Sequence, residues 1–113
     1  MAATWLDRPR NAESAAARLR ALIARKTACA VPGAYDGMSA LLARQAGFEA
    51  LYLSGAALSA SMALPDLGLL TLDDVANKAR EIVRASDLPL IVDCDTGFGE
   101  ALNVMHTDRK SVV

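Results

Sequence analysis

Aromatic side chains are scarce: one Trp, two Tyr and two Phe make up 4% of the 113 residues. Any core must therefore be built from Ala, Leu and Val. Cysteine is nearly absent, and Cys29 and Cys94 have neither the number for a disulfide scaffold nor the spacing of a metal finger. Neither has a basic neighbour in sequence, so both read as small core residues rather than nucleophiles. A single histidine, His106, argues against a Ser/His/Asp or Cys/His triad. Charge of one sign is missing too: 12 Lys+Arg against 13 Asp+Glu leave a net charge of -1. That balance gives no electrostatic footprint for nucleic acid or an anionic membrane. No apolar run approaches the roughly 18 residues of a spanning helix. Asp7 and Arg8 interrupt the opening stretch before a secretory signal could develop. A P-loop and a G-x-G-x-x-G are both absent.

What is present is a hydrophobic fraction of 53%, above the ~45–50% of ordinary soluble domains. The expectation is a soluble, reduced, cytoplasmic chain of one domain or less. Residues 1–10 read as a leader. An amphipathic helix follows over about 11–26, capped by Asn11, with Ala12, Ala15, Ala16, Leu19, Leu22 and Ile23 on one face. Cys29-Ala30-Val31, closed by Pro32-Gly33, reads as a first strand and turn. Asp36 caps a second helix that ends at Gly47. Leu51-Tyr52-Leu53 is a second strand, leading into a loop of small residues from Ser54 to Ala63. Pro65-Asp66-Leu67-Gly68 is a turn. Thr71 and Asp74 form a capping box for a helix carrying Leu72, Val75, Ala76, Ala79, Ile82 and Val83 on one face. Leu88-Pro89 breaks that helix. Leu90-Ile91-Val92 is the continuous apolar run of a parallel strand covered on both faces. A further helix begins near Asn103. Asp108–Val113 does not continue its apolar stripe and is read as an atypical, non-native tail.

Strand–helix units of about 30 residues are the grammar of a parallel α/β fold. Their size suits a (β/α)8 barrel, which needs about 250 residues. The expected architecture is a leader and N-terminal helix over 1–27 followed by about three βα units of a partial TIM barrel over 28–107.

Alternation along the third strand points Asp93 and Asp95 the same way, with Cα atoms about 6.6 Å apart. At the C-terminal end of a barrel strand, that direction is the mouth where catalytic groups collect. Paired carboxylates repel unless a cation or strong donors neutralise them, and oxygen ligands suit Mg2+ or Mn2+. The competing reading is a solvated loop with a helix-capping Asp. Gly97 and Gly99 permit a close ligand approach or a sharp turn. Ser54, Gly55 and Ala56 offer a hydroxyl and backbone N–H groups at the end of the neighbouring strand, where a carboxylate or phosphate could be bound. From this segment alone, a plain strand–loop junction with no ligand is the preferred reading. Asp66 reads as a turn residue and Asp36 as a cap.

Four segments together, Val31-Pro32-Gly33-Ala34-Tyr35-Asp36, Tyr52-Leu53-Ser54-Gly55, Leu64-Pro65-Asp66-Leu67-Gly68 and Val92-Asp93-Cys94-Asp95-Thr96-Gly97-Phe98-Gly99, resemble the isocitrate lyase/phosphoenolpyruvate mutase superfamily. The resemblance covers about 28–107, with the motifs in order at family-like separations. It implies that Asp93 and Asp95 hold Mg2+, that Ser54, Gly55 and Ala56 bind the substrate's carboxylate end, and that Tyr52 and Asp66 line the same pocket as supporting catalytic residues. Two positions depart from the common pattern: Ala56, where many members have Gly, and Cys94, where many have Ala. The implied chemistry is retro-aldol cleavage of a small 2-hydroxy acid, 2-methylisocitrate, to pyruvate and succinate. The alternatives are a sister activity (phosphoenolpyruvate mutase, phosphonopyruvate hydrolase, oxaloacetate decarboxylase or isocitrate lyase) or an inactive fragment. The family's acid-bearing K-(K/R)-C-G-H loop does not occur in this sequence. A full-length form is expected to be a homotetramer.

Overall fold

The computed structural model describes residues 10–110, the side chains of 109 and 110 excepted. The leader over 1–9 and the last three residues of the expected tail lie outside the described residues. Among the described residues five helices and two strands follow one another: α1 Ala15–Ala24, α2 Gly37–Gln45, β1 Leu51–Leu53, α3 Gly55–Ser61, α4 Leu72–Ser86, β2 Leu90–Val92 and α5 Ala101–Lys110. No helix among the described residues is long and apolar enough to cross a membrane.

The two strands pair in parallel, Leu51 with Leu90, Tyr52 with Ile91 and Leu53 with Val92. Parallel neighbours need a crossover, and here α3, the turn after it and α4 supply it. α4 has the strongest amphipathic pattern, and it buries Val75, Ala76, Ala79, Ile82 and Ser86 along one stripe. That stripe packs with Ala34, Ala40, Leu51, Leu53 and Leu58 into one core. Small residues at the α2–α4 contact let the helices approach closely, and Arg44 of α2 donates to the Ser86 carbonyl at 2.6 Å.

The expected caps of α2 and α4 are present. Asp36 accepts from the Ser39 N–H at 2.7 Å and Thr71 from the Asp74 N–H at 3.2 Å, each within a reciprocal capping box. At the far end of α2, Phe48 N–H reaches Ala43 O and Gly47 N–H reaches Arg44 O, the paired bonds of a Schellman ending. α4 stops at Asp87 in the left-handed region, just before Leu88-Pro89.

Three expectations need correction. The first strand is not Cys29–Val31: the chain meets β1 later, through a single bridge between Gly33 and Tyr52. Tyr52 N–H donates to Pro32 O and Ala34 N–H to Tyr52 O. The next bond backward along this ladder would need an N–H from residue 32, which proline lacks. Cys29 is consequently exposed rather than a core residue, and Cys94 is half-buried. Second, Ser54–Ala63 is not a loop. Ser54 caps the helix α3, for which its Ala-rich sequence is well suited. Third, α1 starts later than expected because Ser14, not Asn11, accepts the Ala17 N–H. Asn11 instead donates its backbone N–H to Asp87 Oδ2. α5 begins two residues before Asn103 and runs unbroken through Asp108–Lys110.

The link from β2 to α5 is sharply folded. Asp95, Gly97, Phe98 and Gly99 all have positive φ, at 45°, 96°, 63° and 147°. The two glycines serve the return of α5. A Cβ at residue 97 would stand 2.6 Å from Val104 Cγ2, and one at residue 99 would stand 2.7 Å from Asn103. Thr107, buried on α5, donates its hydroxyl to Gly97 O at 2.8 Å, while Phe98 packs against the core. These contacts hold the strained loop in place.

Two outcomes follow from this packing. Gly97→Ala should cost about 2–4 kcal/mol in urea unfolding, from φ strain plus the clash with Val104. Gly68→Ala should cost less, since Gly68 shares a positive φ of 71° but has open space around it. Equal costs would show that the α5 contact is not the source. The second outcome concerns Asp36, whose carboxyl the Ser39 N–H holds below its ordinary range. A depressed folded pKa gives stability that is complete above the unfolded value and lost as pH falls through the folded one. Asp36→Ala should lower stability by about 1 kcal/mol at pH 7. The gap from wild type should narrow below about pH 4, and a constant gap would contradict the assignment.

Candidate active site at the strand ends

The register carries the chain out of both strands at the same end, so Ser54 follows β1 beside Asp93, which follows β2. The ladder continues one step beyond the strands, with Asp93 N–H donating to Leu53 O at 3.0 Å. Asp93 is half-buried, and both of its carboxylate oxygens are engaged. Oδ1 accepts the Asp95 N–H at 3.0 Å, and Oδ2 accepts the Tyr52 hydroxyl at 3.3 Å. A Cβ added to Gly55 would lie 3.9 Å from the same Oδ2, so the start of α3 also abuts this carboxylate. Each oxygen retains a lone-pair direction beyond its one protein donor.

Asp95 is held differently from the alternating pattern expected of it. β2 ends at Val92, and Asp95 sits in the left-handed region with its N–H turned back onto Asp93. An Asx-type turn, rather than strand pleating, joins the two aspartates. The exposed Asp95 opens onto a groove of about 710 Å3 that Asp66, Gly68, Thr71, Thr96 and Phe98 also line. Asp93, Tyr52 and Gly55 therefore form one cluster, and Asp95 and Asp66 share the adjoining groove. The Asp93–Asp95 turn connects them.

Ser54 is committed in part to local structure, since its Oγ accepts the Ala57 N–H at 3.4 Å as the cap of α3. Gly55 and Ala56 occupy the first helical turn, where N–H groups have no intrahelical acceptor. Thr96 and Thr71 add hydroxyls to the groove that were not singled out from sequence. Thr71 was legible only as a cap, and Thr96 only by its place next to Asp95.

Loss of water and then the neighbouring Asp93 carboxylate push the Tyr52 phenol above its ordinary pKa. The Cys94 thiol is raised as well, first by burial and then by Asp93 and Asp95, which keeps it protonated and weakly nucleophilic. A metal is the natural counter-charge for such a carboxylate pair. The donors are hard oxygens, which fit Mg2+ or Mn2+. Among the described residues no group of three His, Cys, Asp or Glu gathers to hold a metal ion. A cation here would depend on waters and ligand oxygens for the rest of its shell, as Mg2+ commonly does.

The sequence and the fold are both similar to those of known proteins. The chain is 50% identical over 108 residues to a 2-methylisocitrate lyase of Bacillus subtilis (strain 168), covering 95% of this chain and 36% of that protein. Its structure superposes on a phosphoenolpyruvate phosphomutase from Streptomyces platensis subsp. rosaceus with a TM-score of 0.81 at 40% identity, over 86% of this chain and 34% of that one. A phosphonopyruvate hydrolase solved in complex with oxalate and Mg++ aligns with a TM-score of 0.78 at 34% identity, over 87% of this chain and 36% of the hydrolase. The chain thus spans about a third of the length of the relatives it matches. Residues 19–112 match the phosphoenolpyruvate phosphomutase family, and the chain belongs to that family.

Proposed function

We propose that this chain is the N-terminal part of a Mg2+-dependent carbon–carbon lyase that cleaves 2-methylisocitrate to pyruvate and succinate. In this reading residues 28–107 are the first βα units of a (β/α)8 barrel, and the full-length form is a cytoplasmic homotetramer. The observation that carries it is the juxtaposition of Asp93, donated to by Tyr52 and Asp95, with the Ser54-Gly55-Ala56 turn at one end of a parallel strand pair. Half identity to a 2-methylisocitrate lyase over nearly the whole chain supports this choice of substrate.

Asp93 and Asp95 would hold the cation, Mg2+ or Mn2+, with water and substrate oxygens completing its shell. When bound, Mg2+ supplies Lewis-acid stabilisation for the oxygen charge that develops as the carbon–carbon bond breaks. The Gly55 and Ala56 N–H groups and the Ser54 hydroxyl would bind a substrate carboxylate. Asp66 and Tyr52 would line the pocket and exclude solvent from it. Cleavage also needs a base for the substrate hydroxyl proton and an acid for the departing succinate carbon. The acid-bearing K-(K/R)-C-G-H loop does not occur among these 113 residues. The chain therefore supplies binding and charge stabilisation but not the full proton inventory.

The test is a chimera in which this chain replaces the matching third of a 2-methylisocitrate lyase, with the unaltered lyase as control. With Mg2+ and 2-methylisocitrate, the chimera should release pyruvate and the 113-residue chain by itself should release none. Asp93→Asn and Asp95→Asn should each lower kcat about 100-fold or more, the cost of losing several kcal/mol of Lewis-acid stabilisation. A chimera indifferent to both substitutions, or pyruvate from the 113-residue chain, would contradict the reading.

A further inference from the structure

The grip on Asp93 comes from two different elements. The Asp95 N–H belongs to the turn that follows β2, but the Tyr52 hydroxyl reaches across from β1. Tyr52 is registered opposite Ile91, so Asp93, two residues further on, is its diagonal neighbour on the same face of the sheet. A long aromatic side chain spans that diagonal, bringing its hydroxyl to 3.3 Å from Oδ2, a reach that Ser or Thr would lack. A carboxylate torsion is broad and roughly two-fold when nothing holds it. One donor on each oxygen, arriving from two separately anchored segments, removes that freedom. Carboxylates that ligate metals are commonly fixed by hydrogen bonds of this kind.

We propose that Tyr52 is a positioning residue for the metal site: its hydroxyl, donated from β1 to Oδ2 of Asp93, holds that carboxylate in the one orientation that can receive a divalent cation. This rests on the metal reading above and deepens it. Toward the cation Tyr52 acts through Asp93 and is not itself a ligand. The pairing of β1 with β2 thereby becomes part of the cation affinity, since any slip in register would withdraw the hydroxyl from the carboxylate.

The experiment measures Mn2+ affinity of the 113-residue chain by water-proton relaxation in wild type, Y52F, D93N and the Y52F/D93N double variant. Y52F should bind about 10-fold more weakly, at the low end of the 10–100-fold losses typical of groups behind the ligands, because 3.3 Å is long for an O–H···O bond. Its far-UV spectrum and thermal midpoint should match wild type, since one oxygen is lost from a half-buried ring. In the D93N background, Y52F should cause no further loss, which is the non-additivity of two groups acting as a unit. Wild-type affinity in Y52F, or the same 10-fold loss repeated without Asp93, overturns the proposal while leaving the metal site intact. A Y52F chain that loses its wild-type spectrum makes the hydroxyl a structural element and also overturns it. If wild type takes up no Mn2+, or D93N binds it as wild type does, the metal reading falls and this inference falls with it.

Discussion

Parallel pairing of two three-residue strands brings Tyr52, Ser54 and Asp93 together at one end of the sheet. Leu53 opposite Val92 fixes Ser54 beside Asp93, and the bond from Asp93 N–H to Leu53 O extends that alignment past the strand ends. Side-chain alternation has a period of two, so a slip of one residue would send Tyr52 to the opposite face from Asp93. The register is defended by burial. Leu51 and Leu53 are fully buried against Val75, Ala79 and Ile82 of α4, and a slip would turn them out of that core. Hydrophobic packing on one face of the sheet thus sets the polar geometry on the other.

The loop that follows β2 shows the opposite economy, with local strain held by distant contacts. Asp95 and Phe98 are non-glycine residues in the left-handed region, which is unfavourable for L-residues by about 1–2 kcal/mol each. Phe98 is retained by the core and Gly97 by the Thr107 hydroxyl on α5. The consequence is that the Asp95 N–H turns inward to Asp93 while its side chain opens onto the groove shared with Asp66. Helix α5, which carries no residue of the candidate site, therefore helps to fix one of its carboxylates.

Much of this was legible in the sequence because local chemistry and tertiary structure agree. Asp36 with Ser39 and Thr71 with Asp74 signal helix starts that the fold retains. The apolar stripe of α4 identifies a core element, and the run Leu90-Ile91-Val92 identifies a strand, although Ile91 is exposed and the strand is covered on one face only. The errors arose where one signal was read without its competitor. Cys29-Ala30-Val31 has strand composition, but Pro32 removes the donor that would extend pairing in that direction. The small residues of Ser54–Ala63 suggest a loop, but alanine's helix preference prevails over Gly55–Ser61. Pleating predicts a shared face for Asp93 and Asp95, yet Asp95 lies beyond the strand in a turn of its own. The Tyr52–Asp93 contact required the register, which no local pattern carries. That the motifs resemble the phosphoenolpyruvate mutase superfamily placed the same residues together, and family membership over residues 19–112 bears out the resemblance.

The central claim, that the ends of β1 and β2 form a seat for a divalent cation, is most directly tested by titrating Mn2+ into the isotopically labelled chain and following amide broadening. The account predicts selective loss of the Asp93, Asp95, Gly55 and Thr96 signals at low Mn2+, with Ala50, Pro89-flanking Leu88 and other residues at the opposite strand ends retained. Uniform broadening, or broadening centred on carboxylates elsewhere such as Glu49 or Asp87, would contradict it.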